Sequence, residues 1–201
     1  RILAVSLLLL AAWSGFILYR ETKRRRPPPA AVAALVAISL AGLILRLSLS
    51  PHTFLHEYYH IAEALYAYLA GDTGPVYGDT GPAIFQLAAA LLDRRGDPQI
   101  IFATNAVIAS LAIPAIALFD LAVTGSWPRA ICAAALLCVL PQHLRFSASE
   151  VLFVPAVTLA LWSAALAALY LETRRTADAL CAALALSAAV QTRPEMLLFP
   201  V

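Results

Sequence analysis

Charged side chains are what this sequence has least of: Asp, Glu, Lys and Arg make up 13% of its 201 residues, against roughly a quarter in a soluble domain. With 62% hydrophobic residues, that scarcity excludes a water-soluble globule, which could not hide so much apolar surface. The formal net charge of +2 gives no basis for a nucleic-acid partner, whose binding needs many phosphate contacts. Cysteine is scarce too. Cys132, Cys138 and Cys181 all lie in apolar stretches, form no CxxC pair and have no Cys/His grouping of metal-ligand spacing, so they are expected to be small core residues.

What is present is a series of apolar runs, at about 2–19, 30–49, 99–123, 130–146, 151–171 and 177–192. Each is long enough for a helical membrane span, the unit lipid favours because a helix satisfies its own backbone polar groups. The expected fold class is therefore all-α: a polytopic transmembrane helical bundle forming one domain over 1–201. The chain opens on Arg1 and stops at Val201 just after an apolar run, as a piece of a longer protein would. The flank "RETKRRRPPP" lacks a small-residue cleavage site, so 2–19 reads as a retained span rather than a signal peptide.

Basic residues set an orientation. Arg20, Lys23, Arg24, Arg25 and Arg26 are the densest cluster, which by the positive-inside rule places loop 20–29 in the cytoplasm. Alternation from there puts the connections at 124–129 and 172–178, which carry Arg129 and the Arg174 and Arg175 pair, on the same side. Segment 50–98, the turn at 145–150 and the "TRPE" of 192–195 then face the outer side, periplasmic or extracellular, of a plasma or bacterial inner membrane.

The outer segment is the least membrane-like part of the sequence. In "HEYYHIAEALYAYL", His56, Glu57, His60 and Glu63 fall on one side of a helical wheel and Tyr58, Ile61, Ala62, Leu65 and Leu69 on the other. This predicts a helix lying in the interface with its tyrosines at headgroup level. "GDTGP" follows twice, at 71–75 and 78–82. Its glycines and prolines demand turns, which either simply loop the chain or hold Asp72 and Asp79 at the mouth of a substrate cavity.

Two chemistries compete for this segment. His56, Glu57 and His60 satisfy H-E-x-x-H, which on a helix sets two imidazoles one turn apart for zinc and a glutamate to activate bound water. A third ligand is missing from any recognisable motif, Glu63 being too near along the same helix, so zinc proteolysis is the alternative reading. The other reading draws on the whole stretch from Arg46 to Pro200. "HEYYHIAEALYAYLAGD", "VYGDTGPAIFQLAAALL", "GDPQIIFATNAVIASL", "LPQHLRFSASEVLFVPAVTLAL" and "AVQTRPEMLLFP", in that order, resemble the glycosyltransferase C superfamily. The likeness is to bacterial members related to protein O-mannosyltransferases and to the transferases that place aminoarabinose on lipid A.

That resemblance implies transfer of a sugar from a polyprenyl-phosphate donor to a protein, lipid or glycan acceptor at the outer membrane face, without a dedicated cofactor, though a divalent metal is compatible with it. Membrane lipids are the remaining partners it implies. The family's Asp-Glu pair falls on His56 and Glu57, so this sequence departs at the first position. Glu57, His56 and Asp79 are then the expected catalytic groups, and Asp72, His60, Arg145, Glu150 and Arg193 the expected substrate contacts. A carboxylate must reach the attacking hydroxyl, and arginine suits a phosphate's bidentate geometry. A non-catalytic scaffold of the same fold is a third reading, favoured by His56. Ordinary alternatives stand beside the arginines: an interfacial ion pair for Arg145 with Glu150, and snorkelling to the headgroups for Arg193 and Arg46.

Overall fold

The computed structural model describes residues 15–17, 19–21, 23–51, 100–149 and 151–193. Residues 15–17, 19–21 and 23–25 are helical. The chain then turns at Arg26, whose φ of 44° is left-handed, and three prolines lead into α1 (Pro29–Ser48). Proline suits a first helical turn, where its missing N–H has no partner to lose and its fixed φ is already helical. Twenty residues at 1.5 Å each make α1 about 30 Å long, the thickness of a bilayer's hydrocarbon core.

The next span is interrupted. α2 (Ile100–Ser110) and α3 (Ala112–Thr124) meet at Leu111, whose N–H reaches only to the Ile108 carbonyl, 3.0 Å away. Pro114 supplies the cause, since its ring clashes with the carbonyl four residues back, at Ser110. Phe102–Thr124 nevertheless counts as one apolar span. α3 ends on Gly125, which takes a φ of 68° so that its N–H can reach the Leu121 carbonyl.

The apolar run expected at 130–146 does not form one straight helix. α4 (Trp127–Val139) and α5 (Pro141–Ser147) are set at 55° to one another. Pro141 again forces the break, and Arg46 donates to the Leu137 carbonyl that it orphans. α6 (Phe153–Thr173) is a full apolar span, while α7 (Thr176–Thr192) is a shorter apolar helix of 17 residues. Among the described residues, all of whose regular structure is helical, three helices are long and apolar enough to cross a membrane, four if the bent pair is one span, which makes the chain a multi-pass membrane protein. The interfacial helix expected over 56–69 lies outside the described residues.

The helices pack in the order α7, α6, α3, α4, α1, with α2 against α1 and α6. Small residues make these contacts. Ala112, Ala115, Ala130, Ala134 and Ala165 are wholly buried, whereas Val36, Leu40, Ile44, Leu180 and Leu184 are exposed on the bundle surface. This inverts a soluble protein's pattern for a physical reason: lipid tails solvate Leu and Val as well as a core does, so close backbone approach drives association instead. Cys138 is buried, but Cys132 is exposed and Cys181 half-buried. The expectation of three core cysteines therefore holds for one of them.

Gly42 shows how close the approach is. A Cβ there would stand 2.2 Å from Ile113 Cδ1, 3.1 Å from an Arg46 guanidinium nitrogen and 3.3 Å from Cys138 Sγ. Ile113 is itself fully buried and has little room to yield. Gly42→Val is expected to push α1 off α3 and α4 and to cost about 1–3 kcal/mol, the usual penalty of overpacking. Unfolding of the purified variant in mixed micelles measures this, and an unchanged midpoint would refute the close contact.

Candidate functional site

Polar side chains gather at the two ends of the bundle. At one end, the stretch before α1 is stitched to the α6–α7 connection. Both Asp178 oxygens accept from Arg20 Nη2, at 2.9 and 3.0 Å, and one of them also accepts from the Thr173 hydroxyl at 3.2 Å. Arg24 donates to both oxygens of Glu172, at 2.9 and 3.0 Å, and to Glu21 at 2.7 Å. Arg25 also hydrogen-bonds Glu172 and reaches the Leu121 carbonyl at the end of α3. The Glu172 bond, helped by Glu21 and opposed by desolvation, raises Arg24 above its already high ordinary pKa, so this pairing stays ionised. Arg129, 3.6 Å from Asp120, lies at the same end. The connections at 20–29, 124–129 and 172–178 therefore share one end.

Asp178 is wholly buried and sits in the first turn of α7, where a carboxylate also favours the helix dipole. Asp178→Asn removes the charge that both Arg20 bonds depend on. It is expected to cost about 1.5–3 kcal/mol, the range for hydrogen bonds to charged groups; Arg20 keeps Glu21, 3.1 Å away, which limits the loss. A thermal midpoint equal to wild type would show that the pair contributes nothing.

At the opposite end, the central group is Arg46, in the last turn of α1 and only 1% exposed. Neither snorkelling nor a solvent-facing substrate contact describes it. One guanidinium nitrogen donates to the Gly42 carbonyl at 2.9 Å and the Cys138 carbonyl at 3.3 Å; the other donates to the Leu137 carbonyl at 3.2 Å and lies 3.0 Å from His143 Nδ1. Pro141 explains the arrangement. It has no N–H, so the carbonyl four residues earlier, at Leu137, loses its helical donor. A cation at a helix C-terminus also meets the negative end of the dipole. Arg46 thus caps α4 from a neighbouring helix, with α5 folded over it through buried His143.

Since Arg46 donates, His143 Nδ1 accepts and Nε2 carries the proton in the neutral ring. His143 Nε2 and Arg46 Nε are both buried without a hydrogen-bond partner among the described residues. Beside this group, wholly buried Asn105 of α2 donates to the Ser149 carbonyl at 2.7 Å and the Val151 carbonyl at 3.2 Å, fixing the turn between α5 and α6. Ile108, Ala156 and Ala189 pack together, which brings the C-terminal part of α7 to this end as well.

Of the residues singled out from the sequence, Arg145 is exposed in the last turn of α5, and Arg193 is half-buried just past α7, its N–H bonded to the Ala189 carbonyl at 2.8 Å. Both stand at the Arg46 end. His56, Glu57, His60, Asp72, Asp79 and Glu150 lie outside the described residues. Among the described residues no group of His, Cys, Asp and Glu could hold a metal ion. Sequence reasoning missed Asn105, His143 and the capping role of Arg46. The available signals were a lone Asn and a lone Arg in apolar runs, and a Pro four residues after Leu137.

Comparison with protein families, curated proteins and solved structures gives no match.

Proposed function

We propose that this chain belongs to a membrane glycosyltransferase that moves a sugar from a polyprenyl-phosphate donor to a protein, lipid or glycan hydroxyl. The reading rests on the ordered resemblance over 46–200 to the glycosyltransferase C superfamily. One structural observation supports it: segments bearing that resemblance begin at the same end of the bundle. In sequence the "HEYYH" segment follows α1, residues 141–149 of "LPQHLRFSASE" form α5 and the start of the turn held by Asn105, and "TRPE" begins at the last residue of α7. The Arg20 to Arg26 end is the cytoplasmic one by the positive-inside rule, which puts the opposite end of the bundle, where α1 and α7 finish, on the outer side.

In this reading the acceptor hydroxyl gives its proton to Glu57 as its oxygen attacks the anomeric carbon. The bond from that carbon to the phosphate oxygen breaks, and polyprenyl phosphate leaves with the electron pair. Asp79 or His56 supports the base, while Arg145 and Arg193 supply positive charge for the phosphate. Reconstituting the full-length protein in vesicles with a radiolabelled polyprenyl-phosphate sugar on the outer face tests this. Label is expected to move to an acceptor and to leave free polyprenyl phosphate. Failure to bind or consume any such donor would end the proposal.

A further inference from the structure

The basic end carries more cation than its own carboxylates neutralise. Arg20, Arg24, Arg25 and Arg129 take up Glu21, Glu172, Asp178 and Asp120. Lys23, Arg26, Arg174 and Arg175 remain. All four are exposed and none has an ion pair among the described residues. The inner network explains why they stand together. Hydrogen bonds from Arg24 and Arg25 to Glu172, and from Arg20 to Asp178, draw the two basic runs alongside one another although they are about 150 residues apart in sequence. Without those bonds the like charges would push the segments apart.

Directly next to these cations are exposed apolar side chains. Tyr19 lies about one turn before Lys23, Leu171 one turn before Arg174, and Leu180 just over one turn after Arg175. A surface with unneutralised cations at the rim and exposed apolar side chains one turn deeper matches a molecule that has an anionic head and acyl tails. We propose that this end binds acidic phospholipid, with Lys23, Arg26, Arg174 and Arg175 holding the headgroup phosphates. Tyr19, Leu171 and Leu180 meet the chains below. The proposal is independent of the transfer reaction, which concerns the other end of the bundle.

The test compares lipids retained by the protein. The chain is reconstituted in vesicles of equal parts phosphatidylcholine and phosphatidylglycerol, extracted in mild detergent and analysed by native mass spectrometry. Each juxtamembrane cation contributes about fivefold to partitioning at low ionic strength, so phosphatidylglycerol is expected to be enriched several-fold. The enrichment should fall as salt screens the charges. The combined variant Lys23→Gln, Arg26→Gln, Arg174→Asn, Arg175→Gln leaves the inner network intact and should return the retained ratio to that of the vesicle. Each half of it, 23 with 26 or 174 with 175, should lose part of the enrichment. Retention of the two lipids in the vesicle ratio by wild type would overturn the proposal, as would undiminished enrichment in the folded variants. Displacement of phosphatidylglycerol by inorganic phosphate would overturn it also, since that outcome marks a simple anion site.

Discussion

Arg46→Met is expected to lower the unfolding free energy by about 2–4 kcal/mol, since hydrogen bonds from a charged donor contribute about 1.5–3 kcal/mol each and several are lost together. Methionine fills much of the same volume, so the loss reports hydrogen bonding rather than a cavity. The Leu137 and Cys138 carbonyls and His143 Nδ1 all lose the donor they share, and each buried polar group left unmatched costs about 1–3 kcal/mol. Release of a buried charge offsets part of this. Arg46→Lys should not rescue, because a single ammonium cannot present the fork that reaches three acceptors on two elements.

A second substitution makes the argument specific. Pro141→Ala returns an N–H to position 141, which lets α4 run on and bond its own Leu137 carbonyl. If Arg46 substitutes for that missing donor, the cost of Arg46→Met should be smaller by about 1 kcal/mol in the Pro141→Ala background, the net value of one hydrogen bond. Unfolding of the four proteins in mixed micelles measures the cycle. Strict additivity would show that the arginine is not compensating for the proline.

Glu57→Gln is the other change with a large expected effect. If Glu57 takes the acceptor's proton, its amide isostere cannot, and turnover should fall by about 10²–10⁴, the usual contribution of a positioned base. Asp79→Asn should fall by a similar factor if Asp79 supplies the carboxylate that the proposed family resemblance would place at position 56. Single-turnover transfer from a polyprenyl-phosphate sugar distinguishes them, since donor binding should persist in both. Undiminished turnover in both variants would remove these residues from the mechanism. A companion metal analysis addresses the protease alternative: stoichiometric zinc that disappears with His60→Ala would favour it.

Helices and their limits were the legible part of the fold. Pro29 sits where α1 begins, and such a signal is local. The break between α4 and α5 was less legible, because the apolar run continues through it and hydropathy is blind to a missing N–H. The candidate site was legible only as residue types. Arg46 looked like any span-end arginine, and Asn105 like an isolated polar residue, because their partners lie far along the chain. Cys132 was misjudged for a different reason: in lipid an apolar residue gains little by turning inward, so composition does not say which face is buried.

By itself the sequence determined that this chain is a helical membrane protein with its excess of basic charge gathered in particular connections. Both follow from constraints acting on each segment separately: backbone groups in lipid must be bonded within the segment, and cations must stay out of hydrocarbon. Only the tertiary structure decided that Arg46 caps α4 across 91 residues and that Arg20 holds Asp178 across 158. Those pairings depend on which small residues let two helices approach, as Gly42 does against Ile113, and that is a property of the packed bundle rather than of any one segment.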